Sequence, residues 1–456
     1  MLDFFYSAVS FLNDQILGYV LVAALIGCGL YFTIATRFVQ FVRPSNMLRL
    51  MLGSDVLIQK GHISPFQAFA ISTASRVGTG NIAGVALAIT LGGPGAVFWM
   101  WLLAVIGAAS AFAESTLAQI YKVRLGSNFH GGPAFYIRTA LKQRRLAVVF
   151  SVLFIITFAF VFNTVQANTI SQSLQTTFHI NPLLTGLVLA AITALIIFGG
   201  LRRIAKFSAV IVPIFALAYI AVTLVIMILH ITELPRVLML ICSDAFSWQK
   251  FLAGTLGATI MTGARRGLFS NEAGMGSAPN AAATAHTSHP VKQGYVQAFG
   301  VFVDTLLICS CTAFIILLAD YTHFPGLEGI ALTQAALTTE LGLFGNYFIS
   351  FSVLLFAFTS IIGNYYYGQA NIEFLAHRRW IIAGFRTAVC LAIWAGALLQ
   401  LKLVWGLADL FMTIIALINI YAILRLRKQV VGALDDYRKQ VAQGKSPVYK
   451  GPGVWE

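Results

Sequence analysis

Runs of about 18 or more residues without a charged side chain recur along this chain from one end to the other, and they restrict its fold more than any other feature. A bilayer core is crossed by about 20 apolar helical residues. Inside it, backbone amide and carbonyl groups must bond one another, which leaves helices and closed barrels. Barrel strands alternate apolar and polar residues over about 10 positions, and the sequence has no such period. The expected fold is an all-α polytopic membrane protein. Composition agrees: 58% of the 456 residues are hydrophobic and 10% are charged, too few to clothe a water-facing surface.

The apolar runs place eleven candidate spans near 16–36, 64–91, 95–121, 146–171, 183–200, 207–230, 251–284, 295–319, 345–375, 380–399 and 404–424. With the N-terminus outside, 24 of the 30 Lys and Arg fall in cytoplasmic segments, against Arg236, Lys250 and Lys402 outside. The net charge of +14 is therefore topology, and nucleic acid is not an expected partner. The residues before position 16 lack Lys, Arg and a small-residue cleavage site, so the first span reads as a retained helix. Segment 37–62 has room for a short interfacial helix, with Arg43, Arg49 and Lys60 among Met47, Leu48, Leu50, Met51, Leu52, Val56 and Leu57. The five cysteines, Cys28, Cys242, Cys309, Cys311 and Cys390, have no CxxC spacing and read as small hydrophobes.

A shift of 190 residues aligns positions 74–84 with 264–274. Five of eleven pairs are identical: Ala74/Ala264, Arg76/Arg266, Asn81/Asn271, Ala83/Ala273 and Gly84/Gly274. The copies lie in spans two and seven, five helices apart, so they cross the membrane in opposite senses. Each interrupts an apolar helix with polar residues and glycine: Gly78, Thr79, Gly80 and Asn81 in one, Ser270, Asn271, Gly274 and Gly276 in the other. Two broken helices are expected. Freed amides at half-helix N-termini suit a carboxylate and freed carbonyls suit a small cation, so a zwitterion with sodium fits both. The competing reading is close helix packing through small residues.

The stretches Ser75–Gly84, Gly263–Pro279 and Gly131–Tyr136 resemble the alanine or glycine:cation symporter family, and the similarity extends from about residue 16 to residue 424. The resemblance implies a leucine-transporter-type fold with two inverted five-helix repeats and one extra N-terminal helix. Its segments are 1–62 for the extra helix and interfacial segment, 63–230 and 231–424 for the repeats, and 425–456 for a basic cytoplasmic tail. It also implies alternating access, a bacterial inner-membrane location, sodium as coupling ion and a small amino acid such as alanine or glycine as substrate, with no further cofactor.

By the same resemblance, substrate lies between Thr79, Gly80 and Asn81 on one side and Phe269, Ser270, Gly274 and Gly276 on the other, with Gln166 as a third wall. Sodium is expected at the carbonyls of Val77 and Gly78 with the hydroxyls of Thr359 and Ser360, since hard cations prefer oxygen. Asn364 stands where family members often carry Trp, exchanging a large apolar wall for a small amide.

Arg76, Arg265 and Arg266 lie inside spans with Glu114, Glu272 and Asp304, and mutual neutralisation predicts ion pairs on the cytoplasmic side of the site, as a gate or as struts. Titration of such a carboxylate would permit proton coupling instead of sodium. A nucleotide-driven pump is excluded for this chain alone, because no GxxxxGK loop occurs. His286 and His289 lie in a loop beside Pro290, and HExxH is absent, which argues against a metalloenzyme. A channel is the other alternative, and paired broken helices favour a carrier.

Overall fold

A computed structural model describes residues 11, 13, 17–42, 44–53, 63–125, 128–198, 201–376 and 378–451 of the protein. Helix α1 is Gly18–Ala35 and α2 is Pro44–Leu52. Arg43, Val56, Leu57 and Lys60 of the expected interfacial segment lie outside the described residues. In α2, Met47 and Met51 are buried while Leu48 and Leu52 are exposed.

Helix α3, Pro65–Arg76, opens on a capping box in which the Ser64 hydroxyl accepts from the Gln67 amide. It stops at Val77, and a π turn at Gly80–Gly84 leads into α4, Val85–Gly92. Gly93, at φ 82°, turns the chain into α5, Gly95–Ile120. Two short strands follow, β1 Val123–Leu125 and β2 Asn128–His130, paired antiparallel. The apolar-run reading did not foresee this hairpin. Then come α6 Pro133–Thr139, α7 Arg144–Ile155, a π segment Ile156–Phe162, and α8 Asn163–Phe178. Asn181 caps α9, Pro182–Ile197, through the Leu183 amide, and α10 is Leu201–Leu229.

The second half begins with α11 Leu234–Ala245, α12 Trp248–Leu252, α13 Leu256–Asn271 and α14 Ala278–Ala282. Next are α15 Pro290–Val301, a π segment Phe302–Cys309, and α16 Ser310–Leu318. Helix α17, Ile330–Leu375, breaks direction at Gly342, where φ is 61°. The last three are α18 Arg379–Gly396, α19 Leu401–Arg425 and α20 Arg427–Ala442.

Among the described residues, seven helices are long and apolar enough to cross a membrane by length and composition. Gly80–Gly92, Pro182–Ile197 and Trp380–Gly396 are apolar but shorter. The outer surface is apolar: Leu184, Leu187 and Leu195 of α9 are 55%, 51% and 69% exposed, a face that only lipid or another apolar surface covers favourably. The protein is a multi-pass membrane protein. Its centre is polar instead, with Glu114, Asn81, Asp304 and Ser270 all buried where α3, α5, α13 and the π segments Gly80–Gly84 and Phe302–Cys309 meet. The tail is not a loose basic extension. Helix α20 packs on α15 and α5, and the Tyr449 amide donates to the Ser288 carbonyl at 2.9 Å.

Candidate functional site

The central polar layer exists because two helices stop inside it. At the end of α3, Val77 turns to φ −77°, ψ 91°. At the end of α13, Glu272 adopts φ 56°, and Gly274 and Gly276, at φ 85° and 89°, carry the chain to α14. Glycine suits the last two positions because a Cβ is strained in that region. Both interruptions fall in the stretches that the internal repeat marks.

The first break offers amides and a carbonyl, each met by a neutral side chain. Asn81 Oδ1 accepts from the Gly78 amide at 2.9 Å, and Gln166 Oε1 from the Thr79 amide at 3.1 Å. The Ser360 hydroxyl donates to the Val77 carbonyl at 3.3 Å and to its own helix at Phe356, 3.1 Å. Among the described residues, Thr359 bonds only its own helix, at the Phe356 carbonyl, 2.8 Å. Val77, Gly78 and Ser360 of the expected sodium site thus meet Gln166 of the expected substrate wall, while Thr359 stays on its own helix, and a Cβ at Gly78 would lie 2.2 Å from Ser360 Oγ. The Thr79 hydroxyl is buried without a partner among the described residues.

The second break is held differently. Glu114 of α5, fully buried, accepts from the Gly274 amide at 3.2 Å, the Gly276 amide at 3.0 Å and Asn419 Nδ2 at 2.7 Å. The amides of Gly274 and Gly276, expected for substrate, are therefore already occupied. Asn419 also donates to the Gly274 carbonyl at 2.9 Å and accepts from the Tyr136 hydroxyl. The Gly131–Tyr136 motif packs beneath this break: a Cβ at Gly276 would meet Pro133 Cγ at 2.6 Å, and one at Gly132 would meet Asn280 Oδ1 at 2.6 Å.

Asp304, in the π segment between α15 and α16, ties the breaks together. It accepts from Asn81 Nδ2 at 2.7 Å, from the Ser270 hydroxyl at 2.6 Å and from Thr305 at 3.1 Å. π segments recur at functional sites, and all three described here abut this layer, through Asn81, Phe162 and Asp304. Phe269 covers it. Its ring lies 4.6 Å from those of Phe162 and Trp405, and a Cβ at Gly80 would meet it at 2.9 Å.

The expected ion pairs are corrected by this geometry. Arg76 is buried and donates to the Gln297 carbonyl at 3.4 Å, with no carboxylate partner among the described residues. Glu272 accepts from Ser75 at 3.1 Å and from Ser277, while Glu114 and Asp304 accept the bonds described above. Arg265 donates to the Asn13 carbonyl. Arg266 pairs with Asp409 of α19 and lies over the Trp405 ring at 4.6 Å. That pair lines a cavity of about 320 Å³ with Lys402 and Glu328, on the side poor in basic loops, opposite to the side expected for a gate. Asp409, inside the apolar run 404–424, is buried like the other three carboxylates. Asn364 accepts from the Ser75 hydroxyl at 2.6 Å, and its Nδ2 has no partner among the described residues.

The description of the sodium:alanine symporter family matches residues 2–451. A probable sodium/glutamine symporter of Bacillus subtilis is 50% identical, over 97% of this chain and 92% of that protein. An amino-acid carrier protein of the same bacterium is 49% identical, over 100% and 97%. A sodium/alanine symporter of Methanococcus maripaludis is 36% identical, over 96% and 99%.

Proposed function

The chain belongs to the sodium:alanine symporter family, and from that membership we propose that it carries a small neutral amino acid with sodium, by alternating access between two inverted five-helix repeats. The first break carries this reading. There the Gly78 and Thr79 amides are held by neutral side chains, and the Val77 carbonyl meets a hydroxyl. A substrate carboxylate replaces Asn81 and Gln166 at those amides as a charged, stronger acceptor. Sodium takes the Val77 and Gly78 carbonyls with the Ser360 hydroxyl, and Thr359 completes the shell by turning from its own helix. Thr79, Asn81, Phe269 and Ser270 line the remaining walls. Gly274 and Gly276 shape the second break rather than contact substrate.

The membrane is the bacterial inner membrane, with the N-terminus outside and the basic loops and α20 in the cytoplasm. The Arg266–Asp409 pair and Phe269 then close the outer side. Inside-negative potential drives sodium inward at about 2.3 kcal/mol per charge per 100 mV. Asn364, in place of a large apolar wall, widens the range of side chains accepted. One relative named for glutamine and another named for alanine set the panel to test.

Uptake of labelled alanine, glycine, serine and glutamine into proteoliposomes tests the proposal, with an inward sodium gradient against potassium or a proton gradient alone. Concentrative, sodium-dependent uptake of any one is the expected result. Uptake driven by the proton gradient alone assigns coupling to a buried carboxylate such as Asp304 and overturns the sodium reading.

A further inference from the structure

Away from the central layer, a second cavity of about 600 Å³ opens between α2, α15 and α20 on the side of the basic loops. Three cations line it, Arg49, Arg438 and Lys445, together with the hydroxyl-bearing Tyr295, Tyr437 and Ser446, and no Asp or Glu is among its described lining residues. Among those residues, neither the Arg49 guanidinium nor the Lys445 ammonium has a hydrogen-bond or ion-pair partner. Uncompensated like charges around one concavity repel each other, and an anion relieves that cost.

The walls are built rather than incidental. Arg438 donates to the Thr36 carbonyl at the foot of α1, at 2.8 Å, and lines the cavity together with Tyr295. Tyr437 is wedged against Tyr295 at 5.9 Å and His289 at 5.1 Å. Beyond α20 the chain folds back: Gln440 exchanges two hydrogen bonds with the Val448 backbone at 2.9 Å, and the Ser288 hydroxyl donates to the Pro447 carbonyl at 2.8 Å. That return fixes Lys445 and Ser446 at the rim. Beside the cavity, Leu48 and Leu52 of α2 are 41% and 64% exposed, with Phe41 at 63%. Such apolar exposure next to a cationic pocket is the surface of a helix lying at a lipid headgroup boundary.

We propose that this cavity binds a phosphate-bearing headgroup, that of an anionic membrane phospholipid whose acyl chains lie along the exposed apolar face of α2. The phosphate sits among Arg49, Arg438 and Lys445, with the tyrosine and serine hydroxyls donating to its remaining oxygens. The lipid thereby clips α20 to α2.

The test is binding to the full-length purified protein, read by native mass spectrometry and thermal shift, and needs no transport. The probes are phosphatidylglycerol, phosphatidylcholine and soluble glycerol phosphate. Phosphatidylglycerol is expected to bind selectively and to raise the melting temperature. In the double variant Arg49→Gln, Lys445→Gln, whose replaced groups have no partners among the described residues, affinity falls about 30-fold, from loss of two headgroup cations. The charge-preserving Arg49→Lys, Lys445→Arg variant restores binding. If glycerol phosphate binds as tightly as the lipid, the phosphate site stands and its ligand is soluble. Equal binding of phosphatidylglycerol and phosphatidylcholine, or no effect of the double variant on either anion, overturns the proposal.

Discussion

Replacing Glu114 tests whether the second break is held by one carboxylate. The side chain is fully buried and accepts from Gly274 at 3.2 Å, Gly276 at 3.0 Å and Asn419 at 2.7 Å. Glutamine is nearly isosteric but has one acceptor oxygen. Placed where it keeps Gly276 and Asn419, it turns its NH2 toward the Gly274 amide and leaves that donor unpaired. A buried unpaired N–H costs about 1–3 kcal/mol, and the two retained bonds lose charge assistance, so Glu114→Gln should destabilise by about 2–4 kcal/mol. Glu114→Ala strands all three donors and opens a void, and should cost on the order of 5 kcal/mol or more. Denaturant titration of the purified protein in micelles, followed by tryptophan fluorescence, measures both. The order wild type, Gln, Ala is required. An alanine variant as stable as the glutamine variant would show that the Gly274 and Gly276 amides find other partners, and the carboxylate would lose its structural role.

Gly80→Ala forces a methyl to within 2.9 Å of Phe269 and 3.1 Å of the Ser270 backbone; about 1–3 kcal/mol of overpacking is expected, with uptake falling more than thermal stability when both are measured. Ser360→Ala removes the hydroxyl on the Val77 carbonyl, and the sodium concentration for half-maximal uptake should rise while stability in potassium stays within about 1 kcal/mol; an unchanged sodium dependence would exclude Ser360 as a ligand. Burial pushes His289, outside the spans, down to about 4 from its ordinary 6.5. Its folded form thus binds fewer protons than its unfolded form between those values, so stability is full above about 6.5 and is lost as pH falls toward 4, by on the order of 3 kcal/mol. Limited proteolysis of the tail across that range should show release on acidification, and His289→Gln should flatten the profile.

The helix breaks were legible because each puts glycine and amide or hydroxyl side chains where an apolar run should continue, a purely local signal. The partners of those breaks were not, because they depend on which helix faces which. Glu114 and Glu272 look alike in sequence, each a single acid inside a predicted span. One accepts from backbone amides and the other from the serines Ser75 and Ser277. Counting charges suggested mutual pairing, but pairing needs register. Arg266 finds Asp409 on α19, while among the described residues its repeat mate Arg76 reaches only a backbone carbonyl. The Gly131–Tyr136 motif signalled only a resemblance until its packing under Gly276 gave it a physical reason.

The two copies of the repeated stretch have diverged in how tightly their amides are held. At the first break the acceptors are the neutral amides of Asn81 and Gln166, where a hydrogen bond contributes about 0.5–1.5 kcal/mol net. At the second the acceptor is the Glu114 carboxylate, and bonds to charged groups contribute about 1.5–3 kcal/mol. An incoming carboxylate displaces a neutral acceptor favourably, because it makes the stronger bond and leaves an amide side chain free to turn. It cannot displace another carboxylate without burying two like charges side by side. On the proposed function, substrate exchange therefore belongs to the first break. On that reading the second break keeps its shape, and Asp304, bonded to Asn81 of one and Ser270 of the other, would carry occupancy at the first to the second.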